Sequence, residues 1–299
     1  MESSGLTDSK ANTPTLQYSN TSLRSSERRV FLWSISSLVT LAWLILWLWD
    51  RSPYGRYLNH GHLAEIGGDG GTGSVFLSAA LYLVGWTLMT VAMMLPTMLP
   101  LLDMFRRVTA RRPERGQLII LVIAGYLSVW MGFGVAAHSA DWVLHHVVEY
   151  SPWLEANAWV IGGSTLLLAG AFQFSRLKYR CLDKCRAPMS FIMEYWRGRH
   201  DHRNALLLGI NHGMFCVGCC WALMLLMFGV GVGNVGWMLA LGAVMAVEKN
   251  LPWGRKLSAP LGLALLVCAA FILFHHSSFR QSWLTHSSNP ERSEGASLT

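Results

Sequence analysis

Residues 30–49, VFLWSISSLVTLAWLILWLW, contain no charged side chain. At about 1.5 Å per helical residue they are long enough to cross the roughly 30 Å hydrocarbon layer of a bilayer. The run exceeds the apolar core of a signal peptide, and the Asp50-Arg51-Ser52-Pro53 that follows lacks the small residues of a cleavage site, so it reads as a signal anchor. Six more mostly apolar stretches succeed it, at about 75–102, 117–140, 155–175, 204–231, 235–251 and 258–275. Lipid offers backbone groups no partner, so only helices or closed barrels span it, and apolar runs of this length select helices. The expected fold is all-α: a polytopic helical membrane bundle of about seven transmembrane helices over 30–275. Residues 1–29, rich in Ser, Thr and Asn, read as a disordered cytoplasmic tail, and 276–299 as a polar C-terminal tail.

Composition agrees with a lipid solvent. Hydrophobic residues make up 52% of the 299 and charged residues only 14%, against about 25% charged in soluble domains. An ordinary water-facing surface is excluded. The formal charge of +7 is read by loop. With the N-terminus inside, the inner segments carry twenty of the 24 Lys and Arg and the outer ones four. By the positive-inside rule this gives an N-in, C-out topology, and it makes the basic excess a report of orientation rather than of nucleic-acid binding. The Gly-rich run Gly67 to Gly73 has no strand before it and is not a phosphate cradle. None of the six Cys falls in a segment placed outside, so extracellular disulfides are not their expected use.

Chemistry concentrates in the fifth run, Asn211-His212-Gly213-Met214-Phe215-Cys216-Val217-Gly218-Cys219-Cys220-Trp221. With His212 at zero and about 100° per residue, Cys216 falls near 40°, Cys219 near −20° and Cys220 near 80°, so all four share one helix face. Thiolate and imidazole suit copper(I), zinc or iron–sulfur centres, and such a face must point into protein. His212 and Cys219 are about 10 Å apart along the axis, so one ion takes Cys216 with one neighbour and further ligands from elsewhere. The bland alternative is that these Cys pack as small hydrophobes beside Gly213 and Gly218.

Four other constellations bear on the site. Cys181 and Cys185 lie one turn apart among Arg176, Lys178, Arg180, Lys184 and Arg186, where positive charge favours thiolate; the alternative is two reduced cytosolic cysteines in a run that serves topology. The second span supplies Met89, Met93, Met94 and Met98 around Pro96, which deprives the Ala92 carbonyl of its usual helical partner. Thioethers favour copper(I), although Met also fills cores. Glu248, at the inner end of the sixth span, is either an intramembrane acid with a function or a partner of Lys249 that snorkels to water. His138, Asp141, His145 and His146, with His60, His62, His275 and His276, form an outer set that either collects a divalent ion or senses pH or, the reading preferred, is simply solvated, and the same holds for His200 and His202 inside.

Taken together, MTVAMMLPTMLPLL, FQFSRLKYRCLDKCRAP, NHGMFCVGCCWALM and AVEKNLPWG resemble a family of bacterial multi-pass membrane proteins described as predicted metal-binding integral membrane proteins. The likeness covers about residues 80–270. It implies a bacterial inner-membrane location, and it emphasises Cys181, Cys185, His212, Cys216, Cys219, Cys220 and Glu248.

The functional expectation is a membrane protein that binds or handles a thiophilic metal ion, copper first and zinc second. The ion is held at the inner side by Cys216, Cys219 or Cys220, and His212, with Cys181 and Cys185. Met93 and Met98 are second-rank ligands, and the partners are the bilayer and the ion. The alternative is a membrane thiol-disulfide oxidoreductase working between the Cys216–Cys219 and Cys181–Cys185 pairs, which leaves Cys220 over and offers no outer pair for the electrons. A third reading is an assembly subunit whose cysteines only pack.

Overall fold

The computed structural model of the protein describes residues 14–51, 72–157, 159–196, 201–230 and 235–287. His60, His62, His200, Gly67 to Gly71, the 231–234 junction and both chain ends lie outside the described residues, as do the side chains of His275 and His276. Within the described residues every element is helical. The order is α1 (Pro14–Arg51), α2 (Thr72–Val108), α3 (Arg115–Glu149), α4 (Pro152–Ala156), α5 (Trp159–Phe172), α6 (Arg176–Arg186), α7 (Pro188–Tyr195), α8 (Asp201–Val230) and α9 (Val235–Asn250), then a 3₁₀ turn (Gly254–Leu257) and α10 (Ser258–Ser287). Helix α1 starts within the segment read as a tail, and α10 runs on past residue 276.

Among the described residues five helices are long and apolar enough to cross a membrane: Arg28–Trp49, Ala80–Val108, Arg115–Glu149, Asp201–Met227 and Gly254–Phe274. The expectation of seven departs from this at two places. Helix α5 has only 14 residues and continues into α6 after a bend of 62°; counted as one broken span the pair makes a sixth candidate, and otherwise it is a re-entrant loop. The break follows from the sequence: Gln173 and Ser175 interrupt the apolar run, and the Ser175 side chain accepts from the Lys178 N–H at 3.1 Å, starting a new helix. Helix α9 has 16 residues, about 24 Å at helical rise, and is stopped by Pro252, which disfavours helical geometry at Leu251.

Helix α8 is the hub, packing on α3, α5, α6, α7 and α9. Its contact with α3 is the most extensive in the molecule, and glycine makes it so close. A Cβ on Gly209 would collide with the Val122 carbonyl oxygen, and one on Gly125 with that of Leu206; these are backbone atoms that cannot swing aside. Gly209→Ala is therefore expected to destabilise the bundle by about 1–3 kcal/mol, the usual scale of overpacking, seen as a lower thermal midpoint in detergent. A midpoint equal to the parent's would contradict this crossing.

Helix α2 turns its Met-rich face inward: Met89, Met93, Met94 and Met98 are all at most 2% exposed. The carbonyl that Pro96 orphans at Ala92 accepts instead from the Trp43 indole N–H of α1 at 3.2 Å. The indole of Trp86 donates to the Trp130 carbonyl at 2.8 Å and Tyr82 OH to the Gly134 carbonyl at 3.1 Å, fixing α2 against α3.

Candidate functional site

His212, Cys216, Cys219 and Cys220 are all buried on α8. The thiol of Cys216 is the centre of a small polar cluster. Tyr126 OH of α3 lies 2.9 Å from its Sγ, and Lys249 Nζ of α9 donates to the same sulfur at 2.9 Å. Lys249 also donates to Thr97 Oγ1 at 3.3 Å, and its Nζ lies 4.0 Å from Met94 Sδ, both on α2. The turn loosened by Pro96 sets this side of the cluster, because the Met94 carbonyl accepts from Thr97 Oγ1 at 2.7 Å and from Tyr126 OH at 3.3 Å. Helices α3, α8 and α9 thus meet at one sulfur, and α2 joins the cluster through Lys249 and Tyr126.

The other cysteines surround it without forming bonds; all six in the chain are free. Cys219 donates to the Cys216 carbonyl at 3.1 Å, and its Sγ lies 3.4 Å from that of Cys220, well beyond the roughly 2.05 Å of a disulfide. The side-chain neighbours of Cys219 include Cys185 of α6 as well as Cys216 and Cys220. Cys181 lies directly over Gly218, where an added Cβ would come within 2.7 Å of its Sγ. Cys185 is half-buried and Cys181 buried, so sulfur runs from the partly open face of α6 to the sealed Cys216. His212 stands between Tyr126 and Phe191 at ring separations of 5.8 and 5.4 Å, and its Nδ1 has no hydrogen-bond partner among the described residues.

Other expected ligands are placed differently. Met93 packs against Gly242 of α9, where an added Cβ would come within 3.2 Å of the Met93 methyl, and Met98 is fully buried on α2. Glu248 neither pairs with Lys249 nor snorkels. It is 1% exposed and takes Lys178 Nζ of α6 on both oxygens, at 2.8 and 2.9 Å, with Ser258 Oγ of α10 donating at 2.7 Å. Lys178 donates to Gln173 as well, and Arg186 closes the end of α9 by donating to the carbonyls of Glu248 and Pro252. Neighbours on a helix point about 100° apart, so Glu248 and Lys249 serve separate clusters.

On the far part of α3, His138 stacks on Tyr82 at 4.4 Å, and His145 Nδ1 is 3.0 Å from the Asp141 carbonyl. Among the described residues no group of three or more His, Cys, Asp or Glu side chains is arranged to hold a metal ion. Met is outside that set, and thioether sulfur beside thiolate is what selects copper(I). Sequence reasoning missed Met94, Tyr126, Thr97 and Lys249 as members of the cluster. The one available signal was a tyrosine deep in an apolar span, which needs a partner for its hydroxyl.

A family model for PpoB2, a copper chaperone, matches residues 83–272, from α2 into α10. The chain belongs to the PpoB2 copper chaperone family. The match contains every candidate ligand from Met93 to Glu248, and PpoB2 membership accords with the metal-handling side of the sequence resemblance. It names copper and lends zinc no support. No curated protein and no solved structure matches the chain.

Proposed function

We propose that this PpoB2 family member is a multi-pass membrane copper chaperone that holds copper(I) on Cys216, in the inner half of a seven-span, N-in bundle of a bacterial inner membrane. The observation that carries the reading is the Cys216 sulfur itself: fully buried, met by side chains of α3 and α9, and holding a cation that also lies 4.0 Å from the Met94 thioether. Thiolate and thioether select copper(I) over harder ions. His212, one turn from Cys216, offers an imidazole whose Nδ1 is unpartnered among the described residues. Half-buried Cys185 and then Cys219 make a sulfur path by which copper reaches Cys216 through ligand exchange. The two Glu248 oxygens serve the ion pair and not the metal. The twenty-to-four bias of Lys and Arg supports the orientation, with α9 completing the seventh crossing.

The test is anaerobic titration of the detergent-purified chain with copper(I), in competition with bicinchoninate. One tightly bound equivalent is expected, with sulfur ligation in the X-ray absorption spectrum. Met94→Leu keeps the volume and removes the thioether; it should weaken binding by about tenfold, within the range by which supporting groups tune metal sites. Metal-free protein that takes up no copper, or that yields a reducible intramolecular disulfide, refutes the proposal.

A further inference from the structure

A lysine that is 6% exposed inside a membrane bundle is costly to keep charged, and proteins normally set a carboxylate against it. Among the described residues no carboxylate forms an ion pair with Lys249. The adjacent acid, Glu248, is committed to Lys178. Lys249 Nζ is held instead by Cys216 Sγ, Thr97 Oγ1 and, more distantly, Met94 Sδ, and its electrostatic neighbours are the thiols of Cys216, Cys219 and Cys220 and the Tyr126 phenol. Both sulfurs that contact the ammonium are those assigned above to copper(I). The ammonium lies between these two sulfurs, where copper(I) bridging them would sit, and the two carry the same charge, so they repel when both are set there.

We infer that Lys249 is a resident competitor of copper(I): its ammonium occupies the Cys216–Met94 seat in the empty protein and is displaced when the metal binds. The inference rests on the copper-site reading and adds to it an account of release. In the exchange the N–H···S hydrogen bond from Lys249 to Cys216 breaks and a copper–sulfur bond forms. Copper binds Cys216 as the thiolate, a thiol proton leaving with the departing ligand; copper stays in its +1 state throughout, and no electron moves. The copper comes from a soluble copper(I) complex, whose ligand departs. The displaced ammonium keeps its protons and its hydroxyl contact at Thr97, so the loaded site holds two cations, the ammonium and the metal. Two like charges a few ångströms apart in a water-excluded site repel strongly. Copper is therefore held less tightly than its soft ligands alone would hold it, which is what a carrier that must give up its cargo requires.

The test compares the full-length wild type with Lys249→Met, Lys249→Gln, Lys249→Arg and Cys216→Ser, all in detergent, with copper(I) supplied as its bicinchoninate complex and withdrawn with bathocuproine disulfonate. Met fills the space of the lysine stem, and Gln keeps a donor for Thr97 without charge; either suffices should the other fold poorly. Both neutral variants are expected to bind one equivalent at least about tenfold tighter and to surrender it correspondingly more slowly, since the like charge is gone. Arg, which keeps the charge, should bind no more tightly than Lys. Neutral variants that bind as the wild type does, or more weakly, overturn the inference while leaving the copper site intact. A wild type that binds no copper, like Cys216→Ser, overturns the site reading and this inference with it.

Discussion

Cys216→Ser is expected to abolish stoichiometric copper(I) binding, weakening it by more than about a hundredfold, beyond the range seen when only groups behind a metal ligand are changed. The reason is geometric. Cys216 is the thiol that both α3 and α9 contact, through Tyr126 and Lys249, and the Met94–Thr97 turn of α2 holds those two partners in place. Serine retains a hydroxyl that can accept from Lys249 and exchange a hydrogen bond with Tyr126, so the fold is kept and the soft donor is lost. Cys219→Ser and Cys220→Ser should cost less, because the Cys219 thiol is turned to the Cys216 carbonyl and faces Cys220. The measurement is bicinchoninate competition on protein whose elution and thermal midpoint match the parent. Cys216→Ser protein that still binds one equivalent with sulfur ligation would move the site elsewhere.

Much of this centre was open to reading from the chain, for a physical reason. The face shared by His212, Cys216, Cys219 and Cys220 follows from helical periodicity alone, and all four are buried. Apolar runs likewise marked each described helix that is long and apolar enough to cross a membrane. What periodicity leaves undetermined is which face of the neighbouring helix answers. Met93, Met94 and Met98 are chemically equal in the sequence, and only the packing of α9 against α2 distinguishes Met94, beside Lys249, from Met93, beneath Gly242. Tyr126 lies 90 residues from the sulfur it touches. The fourth apolar run read as continuous because its composition hides the 62° bend, whose cause is a polar pair, Gln173 and Ser175, each of which serves Lys178. The Glu248-Lys249 dipeptide left open a functional acid or a partner of Lys249, and adjacency on a helix sends the two side chains to different partners.

That divergence sets the second large effect. Glu248→Gln leaves the Lys178 ammonium, 0% exposed, facing a neutral amide in a medium with no water to replace the lost charge. Removing one member of a buried pair typically costs about 3–5 kcal/mol. The pair ties α6 to α9 and, through Ser258, to α10, so its loss frees the segment that carries Cys181 and Cys185. Glu248→Gln should therefore appear as a lower thermal midpoint and reduced recovery of folded protein, and Lys178→Met, which strands the carboxylate, should do the same. Combining Lys178→Met with Glu248→Met removes both charges together, and most of the lost stability should return, since an apolar replacement of a whole buried pair is commonly neutral or better. A metal-ligand role would give the opposite pattern: Glu248→Gln would lose copper with its midpoint unchanged, and the double variant would recover nothing. The folded protein that remains after Glu248→Gln should still bind its equivalent of copper(I), because the seat at Cys216 is built from α2, α3, α8 and Lys249, on the other side of the α9 terminus.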